Sequence, residues 1–165
     1  MFVSFKLQAS NFKQGIDPLG KIKPLKESPI FSFLSDRELA IFSTIVSEEE
    51  YIQGTVLLAE NMKSHKFYLI EKGQVTVMTG GIQDGHGLNL GEGDTFGEWS
   101  LLAPPHLTSV AARVTKEARV LVLTREDFEK FAREEPGIAL KVVEGIVGSL
   151  WPSIRDVQKM LKESL

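Results

Sequence analysis

Between Tyr51 and Thr124 the chain is built from short runs rich in Val, Ile, Leu and Phe, at 55–59, 67–71, 74–79, 87–90, 109–114 and 118–124. Glycine or polar residues punctuate them: Gly54, Lys72-Gly73, Gly80-Gly81, Asp84-Gly85 and Gly91-Glu92-Gly93-Asp94. No helix-length crossover separates the runs, and parallel neighbours need one. Strands this close pair antiparallel, and many at such spacing predict a sandwich or barrel. The expected fold is therefore mainly β, with helices at its flanks. One stretch departs from the pattern: Trp99 to Ala103 is apolar and suits a single helical turn inside the sheet region. Phe96, Trp99, Leu101 and Leu102 are too apolar for an exposed loop, so they are expected to bury against the strands.

The flanks carry helical signals. Ser35-Asp36-Arg37-Glu38 has the form of a capping box, and Leu39, Phe42 and Ile45 follow at helical spacing, which predicts a helix over 36–46. Thr124 precedes Glu126 and Asp127, an N-cap hydroxyl ahead of first-turn acids. Pro136-Gly137 ends that helix and opens a longer one. Leu140, Val143, Val147, Leu150, Ile154, Val157 and Leu161 then alternate at three and four residues, a seam of a and d positions. Pro152 lies inside it, so a kink or short break is expected there.

Composition removes several function classes. With 165 residues the chain is expected to form one domain. Its net charge is −3, so the body lacks the basic balance that phosphate backbones need, and nucleic acid is not an expected partner. There is no cysteine, hence no disulfide, thiolate zinc site or cysteine nucleophile. Lys6 interrupts the first residues and no long apolar run follows, so neither a signal peptide nor a membrane span is expected, and the cytoplasm is the expected location. His65, His86 and His106 stand apart without an H-x-H pair, so no metal site is expected. No nucleophile motif such as G-x-S-x-G occurs, and no catalytic residue is assigned.

The stretch from Leu90 to Leu102 holds the best candidate site. A strand ending at Phe96 turns at Gly97 into a short helix whose first amides lack internal partners. Ser100 adds a hydroxyl, and Glu98 is placed to accept from a sugar hydroxyl. Phe96-Gly97-Glu98-x-Ser100-Leu101 resembles the phosphate-binding cassette of cyclic-nucleotide-binding domains. Pro29-Ile30-Phe31-x-x-Leu34-Ser35-x-x-Glu38-Leu39 is similar to that family's entry helix. Tyr51-x-x-Gly54-x-Val56-Leu57 resembles its first strand pair, and Tyr68-Leu69-Ile70-x-x-Gly73-x-Val75-x-Val77 its central hairpin.

The resemblance implies an eight-stranded β-roll, a flattened jelly roll, with one helix before it and two after. It divides the chain into an accessory segment 1–28, a cyclic-nucleotide-binding-like domain 29–150 and a helical extension 151–165. It also implies a pocket at Phe96, Gly97, Glu98, Trp99, Ser100, Leu101, His106, Leu107, Thr108 and Ser109, for a cyclic nucleotide or another small anion.

The family's cassette arginine is missing. Counting back from Val110 reaches His106, and counting forward from Phe96 reaches Leu107, with Pro104 and Pro105 stiffening the loop. Neither residue is a permanent bidentate cation. Losing such a contact costs about 1.5–3 kcal/mol, roughly 10- to 150-fold in affinity.

The expectation is a non-enzymatic regulatory module with weak or absent cyclic AMP or cyclic GMP binding. One alternative is a competent sensor using His106 or a distant cation. The other is a structural partner-binding or dimerisation protein with a vestigial pocket. Bacterial regulators of this family dimerise through a helix like the seam and then carry a helix-turn-helix domain. No such module is read before Leu165, so a homodimer or a protein partner is expected rather than DNA binding by the chain itself.

Overall fold

The computed structural model describes residues 20–78, 87–103 and 107–163. A helix α1 (Ile22–Glu27) and a 3-10 turn (Pro29–Phe31) lead into α2 (Asp36–Ser43). The strands are β1 (Ser47–Tyr51), β2 (Val56–Leu58), β3 (Lys66–Met78), β4 (Gly87–Leu90), β5 (Thr95–Phe96) and β6 (Ala111–Thr124). A short helix α3 (Trp99–Leu102) lies between β5 and β6, and α4 (Arg125–Glu134) and α5 (Pro136–Glu163) close the chain.

All pairings are antiparallel, as the spacing predicts. β3 and β6 form the spine, from Lys66↔Thr124 to Met78↔Ala111. The second half of β6 pairs with β1 and its first half with β2. β3 likewise pairs with β5 near its start and with β4 near its end. Each long strand thus serves both layers of the roll. Among the described residues there are six strands, two of which each absorb two of the expected runs. Lys72-Gly73 and the Thr115–Glu117 stretch are not turns between strands but irregularities within them. The register slips between Ile70 and Val75. Gly73 takes a φ of +96° there, packed on the Glu117 and Ala118 backbone.

Period-two alternation gives each spine strand two apolar faces. Tyr68, Ile70, Val120 and Val122 point into the roll with Val75, Phe96, Ala112 and Val114. Phe67, Leu69, Leu121 and Leu123 face the helices, joining Leu25, Ile30, Phe31, Phe42, Phe131 and Ile146. In that second core Phe42 lies 5.1 Å from Phe31 and 5.6 Å edge-on from Phe131, ring centroid to centroid. Each fully buried side chain of this size contributes about 1.5–3 kcal/mol.

The caps form as read. Ser35 Oγ accepts from the Glu38 amide, and Glu38 accepts in return from the Ser35 amide at 2.8 Å. Glu38 also receives Lys141 Nζ at 2.7 Å, and these bonds hold its carboxyl below the usual range. Thr124 Oγ1 accepts from Asp127 N at 3.1 Å.

Four expectations are corrected. α2 stops at Ser43, because Ser47–Tyr51 is drawn into the sheet as β1. That strand, Ser-Glu-Glu-Glu-Tyr, carries too little apolar signal to be read as one. Leu25 in α1 is fully buried, so the helix-side core begins within the stretch read as an accessory segment. α5 runs through Pro152 without a break. Ile138, Ala139, Val142 and Ile146 make its buried face, whereas Leu140, Val147 and Ile154 of the seam are exposed.

Candidate functional site

β5 delivers the cassette. Phe96 pairs with Tyr68 across the ladder and stacks on its ring at 4.6 Å with an 8° tilt. The Tyr68 hydroxyl donates to Leu57 O at 3.3 Å, and burial pushes its pKa up to about 12. The floor of the cassette is thus a fixed aromatic pair. Gly97 then reverses the chain at φ +81°. A Cβ there would stand 2.6 Å from Lys66 O, so the turn requires glycine for conformation and for space.

α3 follows as a single turn, closed by Ser100 N to Gly97 O at 2.9 Å and Leu101 N to Glu98 O at 3.0 Å. Glu98 is half-buried and its Oε1 accepts from Thr95 Oγ1 at 2.6 Å. This bond fixes the carboxylate beside the turn and leaves its second oxygen for another donor. Ser100 is buried, and its hydroxyl donates to Ser64 Oγ at 2.9 Å. Leu101 is buried in the helix-side core. Trp99 is a correction: an apolar ring expected to pack on the roll is 54% exposed, because Ser100 and Leu101 take the inward positions of this one-turn helix.

Beyond α3 the chain is stitched to the loop before β3. Leu107 is exposed and forms a bridge with Lys63. Thr108 is buried; its amide donates to Met62 O at 2.9 Å, its carbonyl accepts from Asn61 N at 2.7 Å, and its hydroxyl donates to Ala59 O. Asn61 takes a φ of +60° at this crossing. Ser109 is exposed. His106, with Pro104, Pro105 and His86, lies outside the described residues.

The structure therefore brings Phe96, Gly97, Glu98, Ser100 and Leu101 into one turn and sets Thr108 across the loop from it. Ser64, Lys66 and Tyr68 complete this neighbourhood. The first two went unread because a serine in a loop and a lysine at the start of a strand have no pattern to mark them. Among the described residues no group of three His, Asp or Glu side chains is placed to hold a metal ion, and no helix is long and apolar enough to cross a membrane. A cleft of about 610 Å³ between the end of α2 and α4, lined by Thr44, Val46, Lys130 and Arg133 among others, holds none of these residues.

The antiparallel roll, the glycine turn into a one-turn helix and the two helices after it are elements of the fold that the resemblance to cyclic-nucleotide-binding domains implies. The match to known proteins is specific: residues 48–135 fit the cyclic nucleotide-binding domain model, and the chain belongs to that family. The chain is 31% identical over 115 residues to a cAMP-dependent protein kinase regulatory subunit of Hypocrea atroviridis, covering 69% of this chain but only 24% of that protein. Among solved structures, the Thermus thermophilus catabolite activator protein superposes with a TM-score of 0.70 at 26% identity, over 82% of this chain and 62% of that one. A cyclic nucleotide-binding domain from Methylobacillus flagellatus gives 0.71 over 93% and 94% of the two chains; at 20% identity it speaks for the fold alone.

Proposed function

We propose that the chain is a non-enzymatic regulatory module whose cassette holds cyclic AMP or cyclic GMP weakly or not at all, and whose helices α4 and α5 carry the output. The supporting observation is the occupant of the cassette's cation position. On the forward count it is Leu107, an exposed apolar residue whose backbone bridges to Lys63. On the backward count it is His106, whose imidazole is neither a permanent nor a bidentate cation. The ribose side is intact, because Glu98 stands fixed at the turn with an oxygen to offer.

The test is titration calorimetry with both nucleotides. Binding by the unmodified chain should be weak, and His106→Arg should improve it roughly 10- to 150-fold. Tight binding by the unmodified chain would overturn the reading; if that binding falls with rising pH, the competent sensor using His106 takes its place.

The exposed stripe Leu140, Val147, Trp151 and Ile154 supports a second part of the proposal. These residues lie opposite the buried face of α5 and repeat at heptad spacing, which fits pairing with a second copy of the chain.

A further inference from the structure

Three consecutive residues at the entry to β3 are each gripped by another part of the fold. Ser64 Oγ, buried, receives the Ser100 hydroxyl of α3 at 2.9 Å and is itself 3.4 Å from Lys66 O, to which it donates. His65 O accepts at 2.8 Å from the amide of Arg125, the first residue of α4. Lys66 O closes against Gly97, with no room between them for a methyl group. One residue earlier, Lys63 bridges Leu107 at the far end of the cassette segment. The loop thus touches the cassette at both ends and the output helix at its start, within four consecutive residues.

We propose that residues 63–66 are a brace that couples the cassette helix α3 to the first turn of α4, with Ser64 and Ser100 as its positioning residues. A displacement of α3 pulls on Ser64. Because Ser64 and His65 are adjacent along a chain that Lys66 anchors to the sheet, the strain reaches the carbonyl that holds Arg125. The apolar contact of Leu101 with the helix-side core acts in parallel but carries no direction. The hydroxyl pair does, since a hydrogen bond weakens steeply with angle. The inference rests on reading α4 and α5 as the output, but its test needs no nucleotide, so it fails or stands separately from the binding proposal.

The experiment is amide exchange of the full chain by nitrogen-15 NMR, without nucleotide. Ser100→Ala should speed exchange at the Arg125 amide about fivefold, the loss expected for one hydrogen bond's worth of coupling. Ser43→Ala removes another buried hydroxyl, one that donates to Ala40 O inside α2, and should leave Arg125 unchanged. In the reverse direction, Thr124→Ala frays the start of α4 and should raise exchange at Leu101; in a Ser64→Ala background that rise should shrink. Changes confined to residues 98–103 in Ser100→Ala, an equal response to Ser43→Ala, or a Leu101 response that Ser64→Ala leaves intact would each overturn the proposal.

Discussion

Gly97 and Gly93 form a matched pair that separates two costs. Their φ angles are nearly the same, +81° and +85°, but a Cβ at Gly93 would meet nothing within 4 Å, whereas one at Gly97 would stand 2.6 Å from Lys66 O. An alanine at either position bears the left-handed backbone penalty, about 1–2 kcal/mol. At Gly97 it must also push a main-chain oxygen back towards ordinary contact at 3.4 Å or more. That oxygen belongs to the first residue of a central strand, so it yields little, and overpacking of this kind costs about 1–3 kcal/mol. Gly97→Ala should therefore lose about 3 kcal/mol and Gly93→Ala about half of that. For a chain of this size 1 kcal/mol moves Tm by about 2–4 °C. Scanning calorimetry should show losses of about 6–12 °C and about 3–6 °C respectively. Equal losses in the two variants would refute the close approach of the cassette turn to β3, and with it one anchor of the brace.

Glu71 shares Arg119 with Glu48 and Glu50, the guanidinium lying 3.1 Å from Glu50 and 3.7 Å from Glu71. Burial, then the neighbouring Glu48, raise the Glu71 carboxyl above its ordinary range. The native state thus holds that proton more tightly than the unfolded chain, and stability falls as pH rises from the usual carboxylate value through the raised one. Glu71→Gln should flatten this slope and raise Tm at pH 7; a lower Tm at pH 7 would mean that attraction to Arg119 outweighs burial. Val147→Glu with Ile154→Glu alters two exposed positions of α5, so the variant should stay folded and sediment as a monomer where the unmodified chain sediments as a dimer. A monomeric unmodified chain at high micromolar concentration would refute the dimer. Ser35→Ala removes the capping hydroxyl of α2 and should cost about 1 kcal/mol in denaturant unfolding; no loss would mean that the Lys141–Glu38 pair holds the helix end alone.

What the sequence made legible follows from where its signals are local. Capping at Ser35 and Thr124, the turn at Gly97 and the antiparallel spacing are each written within a few residues, and each is found in the structure. Signals that depend on a partner were not legible. β1 is charged because Glu48 and Glu50 flank Arg119, a residue 69 positions away from Glu50. Gly73 reads as a turn locally and becomes a bulge only because β6 runs alongside it. At the cassette the motif residues were readable, but the direction of Trp99 was not. A one-turn helix has no periodicity to decide which side faces in.

The same logic explains why α5 looked ambiguous as a sequence. Its apolar residues fall on two sides, and a count of spacing alone merges them into one broad face. The structure separates them by contact. Gly145 sits where any Cβ would overlap the Ile30 carbonyl, so this side of the helix is pressed onto the 3-10 turn. Ile138, Val142 and Ile146 fill the core on that side. Lys141 ties the adjacent flank to Glu38 of α2. These contacts fix the rotation of the helix about its axis, and that rotation leaves Leu140, Val147 and Ile154 facing away from the domain.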